Sequence, residues 1–147
     1  EVVPAFYQLP MDDNEWEVGR FDDIWSGLFL KRACDVLDKR IVNGYPLCEH
    51  NKAPRSTFDD LTNEVHGLEC NEHVWEVIDE VGGDADTFAV VFAAMADALA
   101  EGDFDGYENG EFLTYCGEHM RDWLACLEEL QPGTVTSATQ TAAAADD

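Results

Sequence analysis

The chain has 147 residues, 46% of them hydrophobic, with eight Phe and four Trp, which is enough for one domain with a buried core and excludes a fully disordered polymer. Thirty-two acids face eight bases, a net charge of −24, which excludes a surface suited to nucleic acid or anionic membranes and points to basic partners. The longest apolar run, residues 88–96, is too short to span a bilayer.

The first segment, residues 1–21, is predicted to be an extended arm. "EVVPAFYQLP" is apolar and holds Pro4 and Pro10, and "NEWEVGRF" reads as a turn or short strand. From Asp22 the pattern turns helical, with Ile24, Trp25, Leu28, Phe29, Val36 and Leu37 at helical spacing. Asp22 or Asp23 caps this helix, and Lys39 and Arg40 close it with the sign that suits its dipole. "NGYPLCEHNKAPRS" is a loop.

Ser56 or Thr57 starts a second helix, with Asp60 completing a capping-box pattern and Phe58, Leu61 and Val65 facing in. Gly67 interrupts it. Asn71 caps a third helix, which Gly82 and Gly83 stop. Asp84 or Asp86 caps a fourth, whose inner stripe is Phe88, Val91, Phe92, Met95 and Leu99, with Gly102 as its end. Asn109 opens the last helix, and "QPG" at 131–133 stops it. The expected fold is mainly α: a compact bundle of about five helices across residues 22–131, followed by a disordered low-complexity acidic tail over 132–147.

Two Cys-x-Glu-His echoes raise the question of a metal. They supply Cys70 with His73 and Cys116 with His119; Cys48 with His50 is a looser relative. Neither has the paired Cys-x2-Cys spacing of a zinc site, and Cys116 and His119 fall in the apolar stripe Phe112, Cys116, Met120, Trp123 and Leu127. The reading is therefore buried thiols, with no metal and no cofactor. A calcium-loop alignment of "DFDGYENGEF" fails because Tyr107 and Cys116 land where oxygen ligands are needed. The spread, odd-numbered cysteines fit reduced thiols in a cytosol-like compartment. No secretory leader pattern opens the sequence.

No nucleophile elbow, phosphate loop or dinucleotide fingerprint is present, so the expectation is a non-enzymatic protein. The acids carry the functional reading. Residues 56–147 hold twenty-two acids and one base, Arg121, whereas residues 1–55 hold ten acids and seven bases. Asp60 and Glu64, Glu72 and Glu76, Glu76 and Glu80, and Glu118 and Asp122 are like charges at i, i+4, which costs helix stability. The expected function is a binding protein that covers a basic protein surface, in its sharpest form a DNA mimic that inhibits a nucleic-acid-binding protein. Glu72, Glu76, Glu80, Glu111, Glu118, Asp122 and Glu129 would act collectively. The alternatives are a salt-adapted domain, an accessory subunit of a larger assembly and a zinc-binding module.

Overall fold

The computed structural model describes residues 2–49, 51 and 56–135. A 3-10 turn, Val3–Ala5, precedes four α-helices: α1 (Asp22–Val36), α2 (Thr57–Asp79), α3 (Phe88–Glu101) and α4 (Gly110–Leu130). The chain is all-helical, as expected, and no strand occurs among the described residues. "NEWEVGRF" forms turns.

The middle of the bundle is α3. Its sequence, FAVVFAAMADALAE, is rich in the best helix formers and apolar almost all round. It packs against α1, α2, α4 and the 3-10 turn. Phe88, Val91, Phe92, Met95 and Leu99 are buried as expected. Thr87, not Asp84 or Asp86, caps it, the hydroxyl accepting from Val90 N at 3.3 Å. The tightest crossing is with α4. A Cβ on Gly117 would lie 2.2 Å from the Ala100 amide nitrogen, so the two backbones meet there without a side chain between them.

The second and third expected helices are one. Ser56 caps α2, accepting from Asp59 N at 3.3 Å, and the helix then runs unbroken through Gly67. Asn71 caps nothing: its side-chain oxygen accepts from Trp25 Nε1 at 3.1 Å, tying α2 to α1. The buried face of α2 is Gly67, Cys70, Val74 and Ile78. Phe58, Leu61 and Val65, expected to face in, are exposed instead. Ile24 on α1 is exposed too.

The arm packs onto this bundle. Ala5, Leu9, Met11 and Val18 are buried. Trp123 Nε1 donates to Pro4 O at 3.1 Å and Tyr115 Oη to Pro10 O at 3.2 Å. The Tyr7 ring stacks on Trp123 at 5.2 Å between centroids. Three non-glycine residues in eight have positive φ: Asp13, Glu17 and Arg20. Asn14 holds this bent stretch. Its Nδ2 donates to Met11 O at 3.0 Å and Val18 O at 2.6 Å, and its Oδ1 accepts from Val18 N at 3.2 Å.

Of the like-charge pairs read from the sequence, Asp60 and Glu64 meet an arginine from outside their helix, and two further arginines pair with acids of other elements. Arg20 lies 2.7 Å from Asp60 and 3.5 Å from Glu64. Arg121 on α4 pairs with both Asp97 and Glu101 on α3. Arg32 donates to Val81 O at 2.8 Å and lies 3.6 Å from Asp79.

Candidate functional site

A cavity of about 510 Å³ opens where three element ends and the arm converge. Its apolar walls are Val3, Pro4, Leu37, Phe88, Ala89 and Leu127. Its polar groups are Lys39, Asp86, Thr87, Gln131 and Thr134.

Local backbone chemistry puts each polar group there. α1 ends at Val36, so Lys39 lies beyond its last turn rather than within it. Asp38 takes φ 50°, Asp38 N donates to Asp35 O at 3.3 Å and Lys39 N to Cys34 O at 2.7 Å. Those two bonds are the Schellman pattern, with an aspartate where glycine is usual. Lys39 therefore leaves the helix in a fixed direction. At the start of α3, Asp86 and Thr87 precede Phe88 and Ala89, and the first turn of a helix has amide N–H groups outside its ladder. After α4, Glu128 grips the following turn, one oxygen accepting from Gly133 N and the other from Val135 N, each at 2.8 Å. Thr134 Oγ1 donates to Gln131 O at 2.7 Å, so its oxygen is left to accept.

This set can bind an anion flanked by hydroxyls. Lys39 and the N-terminal end of α3 supply positive charge and donors. Asp86, Gln131 and Thr134 offer acceptors and one amide donor to sugar-like hydroxyls. The volume suits a small organic ligand.

The residues singled out in the sequence lie elsewhere. Glu72, Glu76, Glu80, Glu111, Glu118, Asp122 and Glu129 are all exposed. The first three belong to the C-terminal end of α2 and its cap, the other four to α4. Cys70 and Cys116 are buried in the core. Burial pushes the Cys70 thiol up to about 11, and burial followed by the neighbouring Cys70 pushes Cys116 well above its ordinary value. Both are held as neutral thiols, and Cys70 Sγ donates to Glu108 O at 3.8 Å. His73 stacks on Tyr107 at 4.0 Å and His119 lies edge-on to Tyr115 at 4.3 Å. Among the described residues, no three His, Cys, Asp or Glu side chains gather as a metal site would require. His50 lies outside the described residues.

The sequence reading missed Lys39, Asp86, Thr87, Gln131 and Thr134 as a group because each reads as punctuation. Each marks the end or start of a helix, and only the tertiary fold brings those ends together.

No protein-family model matches the chain, and no solved structure matches it. Curated relatives do. The chain is 29% identical over 141 residues to a protein of Zea mays named probable UDP-arabinopyranose mutase 1, covering 93% of this chain and 37% of that one. It is 28% identical over 137 residues to UDP-arabinopyranose mutase 1 of Oryza sativa subsp. japonica, covering 90% and 36%. Over 73 residues, half of this chain and 20% of the relative, it is 35% identical to UDP-arabinopyranose mutase 2 of Arabidopsis thaliana. The chain thus spans 37% or less of the length of these three relatives.

These names overturn the expectation of a non-enzymatic acidic binder, a DNA mimic or an inhibitor. The proteins similar to this chain along nine-tenths of its length are named as enzymes. The sequence reading failed because the likeness is modest identity spread along the chain, without a catalytic signature to quote.

Proposed function

We propose that the chain is part of an enzyme acting on a UDP-sugar, UDP-arabinopyranose or a close chemical relative, and that the cavity beside Lys39 receives the nucleotide sugar. The likeness to the maize mutase along 93% of the chain carries this reading. The chemistry of the cavity supports the placement. Its apolar walls suit a pyrimidine face. The Lys39 ammonium and the first amides of α3 suit a diphosphate. Asp86, Gln131 and Thr134 suit the hydroxyls of a sugar. In a chain of net charge −24 the long-range field opposes an anion, so a diphosphate needs such a local positive spot.

Calorimetric titration with UDP-arabinopyranose, UDP and free arabinose tests it. The expected result is saturable binding of the two UDP compounds and far weaker binding of arabinose. Lys39→Ala should weaken UDP by about tenfold, the loss of one charge-assisted contact. Absence of UDP binding overturns the ligand class. Binding that ignores Lys39→Ala overturns the site.

A further inference from the structure

After α1 the chain runs from Lys39 to Glu49 without a helix, a turn or a bend. Among the described residues, no hydrogen bond reaches residues 40–49. The large apolar side chains of this stretch stand in water: Ile41 is 52% exposed, Val42 82%, Tyr45 88% and Leu47 94%. Ile, Val and Tyr are strand formers, and an apolar stretch with a free backbone edge is a surface that native proteins cover. The segment has the character of a strand without a sheet.

Its sequence decides which edge can pair. In a strand, successive residues turn their N–H and C=O groups to opposite sides. Pro46 has no N–H, so the side shared by Val42, Gly44 and Pro46 cannot carry a full ladder. The other side, with Ile41, Asn43, Tyr45 and Leu47, keeps every donor and acceptor. A strand that can pair along one side only belongs at the end of a sheet.

We propose that residues 41–47 add as a terminal strand to a β-sheet in the portion of the enzyme that lies outside the matched region. The described residues contain no strand to offer them. The 141 matched residues are 37% of the maize relative, so that protein holds more chain outside the match than inside it, a domain's worth. A second copy of this chain is the poorer occupant, because two such segments make a two-stranded ribbon, which is marginal in water. Residues 39–48 hold Lys39, Arg40 and no acid, which keeps the acids of the chain out of the ladder. Lys39 begins the stretch and also lines the cavity, so the docked sheet adjoins the nucleotide-sugar site. This inference rests on reading the chain as part of such an enzyme.

The test mixes the 147-residue chain with the part of the maize relative outside the match, expressed separately. Amide exchange is read by NMR, in reductant because Cys48 is exposed. In the chain alone, the amides of residues 41–47 should exchange freely. In the mixture, Ile41, Asn43, Tyr45 and Leu47 should slow by about tenfold or more, while Val42 and Gly44 stay fast. Asn43→Pro removes a donor from the pairing side and should weaken the complex about tenfold; Val42→Pro, on the free side, should not. Neither variant should alter the helical circular dichroism, since the segment lies outside the helices. Where the separate maize part does not fold, a chimera with this chain in place of the matched 141 residues takes over. In it, Asn43→Pro should melt lower than Val42→Pro. A folded maize part that forms no complex, or a chimera in which the two variants melt alike, overturns the proposal. So does exchange slowed at Val42 and Gly44 as well, and so does slowing that appears when the chain alone is concentrated, the mark of a second copy. A missing complex beside intact UDP binding removes this proposal alone. A complex formed by a chain that does not bind UDP removes the ligand class of the cavity and leaves the strand in place.

Discussion

The ring of Phe21 lies over the bare Cα of Gly67: a Cβ there would sit 2.1 Å from Phe21 Cδ2 and 2.9 Å from Cγ. Glycine in a helix interior costs up to about 1 kcal/mol against alanine. α2 accepts that cost because the ring of Phe21, itself buried, occupies the space a side chain at position 67 would need, at the entrance to α1. Gly67→Ala is therefore expected to destabilise by roughly 1–3 kcal/mol despite its better helix propensity. Adding Phe21→Leu should recover part of the loss. Additive losses in the double variant, read from urea melts, would show that the two residues are not coupled.

Asn14 is the second place where one side chain decides a backbone path. Asn14→Ala removes three hydrogen bonds and leaves Met11 O, Val18 O and Val18 N to find other partners. The expected cost is about 2–3 kcal/mol. Asn14→Asp keeps the acceptor for Val18 N but aims a carboxylate at two carbonyl oxygens. It should destabilise too, and less so below its pKa, where one oxygen can donate. A melt of Asn14→Ala indistinguishable from wild type would show that the bent stretch holds without this bracket.

Asp38 occupies the left-handed position that ends α1. A non-glycine residue there costs roughly 1 kcal/mol. Asp38→Gly should therefore raise stability by up to about 1 kcal/mol while leaving Lys39 in place. If the variant melts lower, the aspartate side chain contributes something the backbone geometry does not explain. UDP affinity unchanged by Asp38→Gly, beside the loss in Lys39→Ala, would separate the cap from the ligand contact.

The buried thiols give a pH dependence with a definite sign. The folded-state pKa of Cys70 is about 11, against 9.0 for the free group. The unfolded chain thus loses this proton first as pH rises. The stability present below pH 9.0 should fall as pH climbs toward about 11. A variant with Cys70→Ala and Cys116→Ala should show a flatter alkaline limb in melts. An unchanged limb would assign the loss to other groups. At mildly alkaline pH an alkylating reagent should modify the exposed Cys48 and Cys126 well before Cys70 and Cys116.

Much of the fold was legible because two helices announce their inner faces. The row Phe88, Val91, Phe92, Met95 and Leu99 is buried as read, and so are Phe112, Cys116, Met120 and Leu127 on α4. α2 misled for a physical reason. Its strongest apolar row, Phe58, Leu61, Val65 and Leu68, faces away from the bundle, while the face that packs is the weaker set Gly67, Cys70, Val74 and Ile78. Periodicity identifies a face and is silent about what covers it. The break expected at Gly67 failed similarly, because the glycine answers a tertiary contact rather than a local stop. The cavity was illegible: Lys39, Thr87 and Gln131 are far apart in sequence and have ordinary local roles.

The walls of that cavity come from opposite ends of the described chain: Val3 and Pro4 on one side, Gln131 and Thr134 on the other. The bond from Trp123 to Pro4 closes a separation of 119 residues and that from Tyr115 to Pro10 one of 105. Contacts of such long range incur their loop-closure entropy late and slow the final stage of folding. The helices can thus assemble before the pocket exists. During synthesis the pocket cannot form until Thr134 has left the ribosome, so the cavity exists only once the turn after α4 has met the arm and the start of α3.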